Sequence, residues 1–396
     1  MKMQVAIHPR LRPHIGVFPA VLLALMGIGV IVAIIRFVYG IGAISNLSNT
    51  YPWGFWISFD IFMGIAISSG AFLLGGAVYI LDLREFRPLL IPSVLTALLG
   101  YIMEVLALLV DLGRPERIWH MIIYQNFTSS MLLVGLCVMF YLVILAVEFA
   151  PTLFDGLAWY KWASWLKPAR WSAVARRIML PVVIVGVVIS TVHQGSLGSL
   201  LLIQSAKLHP LWWTPLLPTL FFLSAIPIGL AMVIVESSLS SRYFHRGLET
   251  HLLDRLARLI PFALALYLVV RFAQLILSGN AAYLFTSGTM SILFWLEIAI
   301  GCLAPLVLFS LRSVRSNPSL LLASAVTLLT GMVINRFNVS WLGIHRLTNA
   351  GYIPSLMELA ISAAIFSFGI LAFGLAAKYL PLFQPEEHER AGAPAD

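Results

Sequence analysis

IMLPVVIVGVVISTVHQGSLGSLLLIQ, residues 178–204, runs for 27 residues without an Asp, Glu, Lys or Arg. About 20 apolar residues suffice for a helix to cross the hydrocarbon core of a bilayer, and this stretch exceeds that length. Working outward, comparable windows fall at about 15–43, 54–81, 90–110, 129–150, 216–237, 259–278, 290–311, 319–337 and 355–378, which makes ten spans. The runs are long and uninterrupted, not short and alternating, so they select helices over an outer-membrane barrel. The composition agrees. The 396 residues are 60% hydrophobic and only 11% charged, whereas a soluble protein carries about 25% charged residues. Soluble globular, disordered and nucleic-acid-binding readings are therefore excluded. The expected fold is all-α, a polytopic transmembrane helix bundle, with residues 1–383 forming one integral membrane domain and 384–396 a short polar tail. Lys2, Arg10 and Arg12 precede the first run in the manner of a signal peptide. That run, however, is over 20 residues long and has no small-residue cleavage site, so we expect a retained first helix.

The formal net charge of +8 mainly sets orientation. Of the 25 Lys and Arg, 18 fall on one side of the ten spans, four on the other and three within or at the end of spans. By the positive-inside rule both termini are cytoplasmic, and the expected location is the inner (cytoplasmic) membrane. The extracytoplasmic loops are then 44–53, 111–128, 205–215, 279–289 and 338–354, rich in Trp, Tyr, Asn, Gly and Pro and suited to a docked partner. Trp53, Trp56, Trp119, Trp212, Trp213 and Trp341, taken singly, read as an interfacial aromatic belt. The two cysteines, Cys137 and Cys302, each sit inside an apolar run. No disulfide framework, iron–sulfur site or cysteine-based zinc site can be built from them, so any such cluster belongs to a partner.

Ionisable groups inside spans are costly and mark function by default. Arg36, Asp60, Glu104, His193, Gln194, Arg271, Gln274, Glu297, Arg336 and Glu358 fall in the outer halves of their spans, and Asp111 and Arg114 lie just beyond the third. The inner half holds chiefly Glu148 and Glu236. A polar pocket near the outer surface is expected, with a sparse proton route through Glu104, Glu148 and Glu236. His193 is the only histidine within the windows. Because a transmembrane b-type haem needs two facing imidazoles, we expect no bound haem or metal, and any redox work to use a diffusible membrane carrier supplied with electrons by a separate subunit. A neutral imidazole can hydrogen-bond a quinone carbonyl and relay its proton; the alternative is a helix-packing histidine. Arg36 and Arg271 are equally readable as structural ion pairs with Asp60, Glu297 or Glu358. In DLGRP (111–115) a loop-closing salt bridge between Asp111 and Arg114 is expected. Glu148 and Glu236 read either as snorkelling carboxylates or as relays.

The stretches NTYPWGFWISFD (49–60), TALLGYIMEVLALLVDLGRPERIWH (96–120), HQGSLGSLLLI (193–203), ESSLSSR (236–242), GMVINRFNVSWLGI (331–344) and GYIPSLMEL (351–359) together resemble the NrfD/polysulfide-reductase membrane subunit family, and within it the hydrogenase-type members. The resemblance covers essentially all ten spans. It implies a haem-free, quinone-reactive subunit of a respiratory oxidoreductase complex. Such a subunit docks an extracytoplasmic four-cluster, ferredoxin-like iron–sulfur protein. That protein in turn serves a catalytic subunit: a hydrogenase, a molybdopterin enzyme or a multihaem cytochrome. Carried over by motif, the implied site residues are Tyr101, Glu104, Asp111, Arg114, His193, Gln194, Glu236, Arg336, Asn338 and Glu358, with Asp60 added from its depth. One departure is that SSMLLVG (129–135) lacks the glutamate that hydrogenase-type members carry early in the fourth span. Two other functions fit buried charge: a proton-coupled secondary transporter and a passive anchor whose polar groups only hold helices together. Against a transporter stand the lack of a detectable repeat and the crowding of polar groups toward one side.

Overall fold

The structure is a computed structural model and describes residues 16–49, 51–344 and 351–383. Ten helices there are long and apolar enough to span a bilayer: α1 Val17–Tyr39, α2 Trp56–Ile80, α3 Arg84–Asp111, α4 Ser130–Leu157, α5 Met179–Leu202, α6 Leu217–Phe244, α7 Thr250–Leu277, α8 Thr289–Ser310, α9 Pro318–Leu342 and α10 Leu356–Tyr379. Each overlaps one expected window. The only β structure among the described residues is an isolated bridge between Leu208 and Ile344. The polar tail 384–396, Arg346, and the basic residues Lys2, Arg10, Arg12 and Arg390 lie outside the described residues.

The helices α4, α6 and α7 run about two turns further than hydropathy alone indicates, all toward the basic loops. Polar closure explains the extension. The Arg246 guanidinium donates to Ser240 Oγ at 2.9 Å and pairs with Glu249 at 2.9 Å. Asp254 on α7 accepts from Arg258 and, at 3.0 Å, from Arg315. Asp155 at the end of α4 accepts from Ser172 Oγ at 2.6 Å and from Arg176.

Two rings of four helices make the body. In the first, α2, α3, α4 and α5 pack in cyclic order; in the second, α6, α7, α8 and α9 do the same. The rings join where α6 meets α2 and α5 and where α9 meets the start of α2, while α1 lies on α10, which leans on α3. Small residues permit the closest crossings. A Cβ on Gly229 of α6 would collide with Ser69 Oγ of α2 and fall 2.7 Å from Gly70 N. One on Gly331 of α9 would overlap the backbone of Gly301 of α8.

Several spans depart from α geometry where they carry polar residues. Trp56–Met63 at the start of α2, Ala299–Leu303 within α8 and Asn338–Leu342 at the end of α9 are π-helical. The extra residue in a π turn re-aims neighbouring side chains, and these turns carry the buried Asp60, Asn338 and Ser340.

The tryptophan belt is a correction. Trp53, Trp56 and Trp212 are buried inside the bundle. Trp56 Nε1 donates to the Glu358 carbonyl at 3.2 Å and Trp212 Nε1 to Glu297 Oε2 at 2.9 Å, so these rings hold polar groups rather than lipid. Of the six, Trp119 remains well exposed; Trp159, Trp162, Trp165 and Trp171, beside the basic loops, are exposed as well.

Candidate functional site

The sequence-derived site residues separate into networks on different rings. The first sits between α3 and α5. Helix α3 turns Tyr101 and Glu104, one turn apart, toward α5, and α5 presents His193 and Gln194; all four are buried. Tyr101 Oη and His193 Nδ1 lie 2.7 Å apart, and the other ring nitrogen, Nε2, stands 3.8 Å from Glu104 Oε1. That second separation exceeds a hydrogen bond. His193 Nε2 and both Glu104 carboxyl oxygens therefore have no hydrogen-bond partner within the protein. Gln194 Nε2 donates to the Ile65 carbonyl of α2 at 2.9 Å, fixing the register of α5 against α2. The Tyr101 ring meets Tyr141 of α4 edge-on, with centroids 4.8 Å apart. Tyr141 was not singled out from the sequence, because one tyrosine in an apolar run gives no signal until its neighbour is known.

The distance from the helix ends defines depth. Glu104 lies seven residues from the Asp111 end of α3 and His193 nine from the Leu202 end of α5, or about 10 and 14 Å at 1.5 Å per residue. On α6, Glu236 is eight residues inside the opposite end, buried, and accepts from Ser93 Oγ of α3 at 3.5 Å. Glu236 is thus packed inside the bundle and not spread on its surface, with about two further turns of α6 beyond it. Glu148 is half-buried and lines a cavity of about 220 Å³ with Tyr79, Arg87, Asp155 and Arg176. Glu148 and Tyr141 both lie against Gly186 of α5, where a Cβ would come 3.0 Å from Glu148 Oε1 and 3.6 Å from Tyr141 Cε2. Cavity, Glu148, Tyr141, Tyr101 and His193 thus follow one another through the first ring.

Arg336 and Asn338 belong to the second ring, not to the histidine. Their centre is Glu297 of α8, which accepts from Asn335 Nδ2 at 3.0 Å, Trp212 Nε1 at 2.9 Å and Asn338 Nδ2 at 2.5 Å. Arg271 Nη2 stands 3.8 Å from Glu297 Oε1. Arg336 donates to Asn335 Oδ1 at 3.0 Å and Ser224 Oγ at 2.7 Å and lies 4.0 Å over the Phe221 ring. Among the described residues no hydrogen bond or ion pair links this network to His193.

The remaining residues hold together the end of the bundle where α3 finishes and α10 begins. Asp60 accepts from Ser362 Oγ of α10 at 2.6 Å, leaving Oδ1 without a partner in the protein, and the half-buried Phe59 beside it stacks toward Phe366 at 5.1 Å. Glu358 is a capping residue. It accepts from the backbone of Ser355 at 3.2 Å and of Asn46 at 2.9 Å and from the Tyr352 hydroxyl, so it pairs with neither arginine. Arg36 donates to the carbonyls of Val110, at 2.7 Å, and Leu112, closing the end of α3. The expected Asp111–Arg114 salt bridge does not form among the described residues. Arg36 takes over the closure of this turn, and Arg114 is exposed.

Comparison with known proteins follows this geometry. The polysulphide reductase NrfD family matches residues 43–348. The chain belongs to that family. It is 31% identical over 364 residues to the probable Ni/Fe-hydrogenase 2 b-type cytochrome subunit of Escherichia coli, with 90% of each protein aligned. It is 27% identical to the integral membrane subunit of a menaquinone reductase from Nitratidesulfovibrio vulgaris, over 88% of this protein and 87% of the relative. A polysulfide reductase component from Wolinella succinogenes is 25% identical over 74% of this protein and 95% of its own length. The cytochrome name invites a test of the donor set. Two axial imidazoles are required, but His193 has one ring nitrogen on Tyr101 and the other facing Glu104. The other histidine on a spanning helix among the described residues, His251, is exposed at the far end of α7. The residues do not fit a bis-histidine haem.

Proposed function

We propose that this NrfD-family protein is the quinone-reactive membrane subunit of a respiratory oxidoreductase. In this reading it passes electrons between an extracytoplasmic iron–sulfur subunit and menaquinone or ubiquinone. The observation that carries the reading is the Tyr101–His193–Glu104 group, whose Nε2 and carboxyl oxygens lie buried and unsatisfied about 10 to 14 Å inside the Asp111 end of α3 and the Leu202 end of α5. A quinone takes up one proton at a carbonyl oxygen for each electron it gains, and the quinol gives them back on oxidation. His193 exchanges one through Nε2, the Glu104 carboxyl exchanges the second, and Tyr101 orients the ring and can renew its proton through Nδ1. Protons reach this group from the Glu148 cavity by way of Tyr141. The position near one face serves electron transfer too, because tunnelling from a docked cluster requires short distance. The names of the E. coli, N. vulgaris and W. succinogenes relatives support the quinone and oxidoreductase parts of the reading.

Orientation follows the charge bias. A reporter fused after Asp396 should read as cytoplasmic and one inserted near Gly279 as extracytoplasmic. The opposite readout would place the His193 group on the cytoplasmic side and remove the basis for an extracytoplasmic partner.

Purification from native membranes tests the subunit reading itself. The tagged protein should bring with it the broad absorbance of iron–sulfur clusters, and after the partners are stripped it should show no Soret band. A protein that purifies alone favours the transporter, and a b-type spectrum in the stripped preparation overturns the haem-free mechanism.

A further inference from the structure

The second ring buries more positive than negative charge. Arg271 and Arg336 are each 1% exposed and Glu297 is 2% exposed. A guanidinium stays protonated in proteins, and Glu297, which accepts three hydrogen bonds, is the one carboxylate paired with them among the described residues. Two positive charges therefore face at most one negative charge. The other titratable groups facing them are Tyr267 of α7 and Cys302 of α8, ordinarily neutral. A buried charge without a counter-charge is among the most costly features a membrane interior can hold.

Unsatisfied donors mark where compensation is missing. Nε and Nη2 of Arg271 and Nε of Arg336 have no hydrogen-bond partner within the protein. Both side chains line one narrow cavity between α6, α7 and α9, together with Tyr267, Asn335 and apolar side chains such as Phe221 and Val339. Its interior is narrow, with room for a monatomic or similarly small guest and too little for a phosphate, a carboxylate-bearing metabolite or a quinone ring.

We propose that this cavity binds one small monovalent anion, of the size of chloride, held by Arg271 and Arg336. The anion neutralises the surplus charge and ties α7 to α9. Glu297 stands 3.8 Å from Arg271 Nη2, so carboxylate and halide share the guanidinium between them. The site lies in the second ring and is independent of the quinone chemistry assigned to His193.

Thermal unfolding of the purified full-length protein tests this. The protein is desalted into sodium gluconate, and chloride then replaces gluconate at constant ionic strength. The midpoint should rise saturably by several degrees, bromide should substitute for chloride, and sulfate should not. R271Q should unfold at one temperature in both salts, while R258Q, on the exposed end of α7, should keep the parental response. E297Q, which enlarges the surplus, should steepen the dependence on halide. A parental midpoint indifferent to chloride, or a response that R271Q retains, overturns the proposal. So does an equal rise with sulfate, which is too large for this cavity and would make the response a general salt effect. Should R271Q fail to fold, equilibrium binding of radiolabelled chloride to the gluconate-exchanged parental protein decides: one saturable site per molecule is expected, and none overturns the proposal.

Discussion

Replacing His193 by alanine lowers electron transfer to a quinone analogue by roughly ten- to a thousandfold, the range for loss of a positioned donor or proton relay. The catalytic partner's activity with a soluble dye is unchanged, because the dye takes its electrons before they reach the membrane. The assembled complex forms in parental amounts, since the His193 side chain makes one hydrogen bond, to Tyr101, and Gln194 independently anchors α5 on α2. Glu236→Gln and Glu148→Gln sharpen the test. Neither touches the histidine, so both spare quinone binding. Glu148→Gln slows proton uptake from the cavity side, and Glu236→Gln does so only if a second path runs past Ser93. If His193→Ala assembles normally and turns over quinone at the parental rate, the pocket lies elsewhere. Asp60, with an unpartnered oxygen beside Phe59 and Phe366, is then the next site to test.

The ten spans were legible because a bilayer imposes one dominant rule, length of uninterrupted apolar sequence, and that rule is local. The helix ends were less so. ESSLSSR looks like the end of a span, yet α6 continues through it because Arg246 returns to Ser240 and closes the polar turn. Which buried charges meet was not legible at all. Arg336 and Asn338 stand in one motif, NRFNV, and His193 in another, and nothing in their spacing places them on different rings. That division arises from the cyclic packing of α2–α5 and α6–α9, with Gly331 on Gly301 inside the second ring and Gly229 on Gly70 at the seam between the two. The tryptophans failed for a related reason. Trp212 and Trp56 lie at the ends of spans, as belt residues do, but an indole donor is equally suited to a buried carboxylate or carbonyl, and here it takes those partners.

Glu297 carries the largest expected effect on stability. Glu297→Ala removes the acceptor for Trp212, Asn335 and Asn338 at once and leaves Arg271 without the only carboxylate that faces it among the described residues. Breaking a buried pair by deleting one partner costs about 3–5 kcal/mol, and each orphaned neutral donor adds about 1–3 kcal/mol. Much of that cost falls on the native state, because in the unfolded protein these donors find water or lipid headgroups. The variant should therefore accumulate poorly in membranes and unfold well below the parental temperature in detergent. Glu297→Gln keeps the shape and one acceptor oxygen, so it should lie between the two. The comparison with His193→Ala separates scaffold from chemistry: one substitution loses the protein, the other loses turnover in a protein that is still there. If Glu297→Ala instead unfolds at the parental temperature while quinone turnover collapses, the second ring holds the reacting site, and the Tyr101–His193–Glu104 group becomes the packing element.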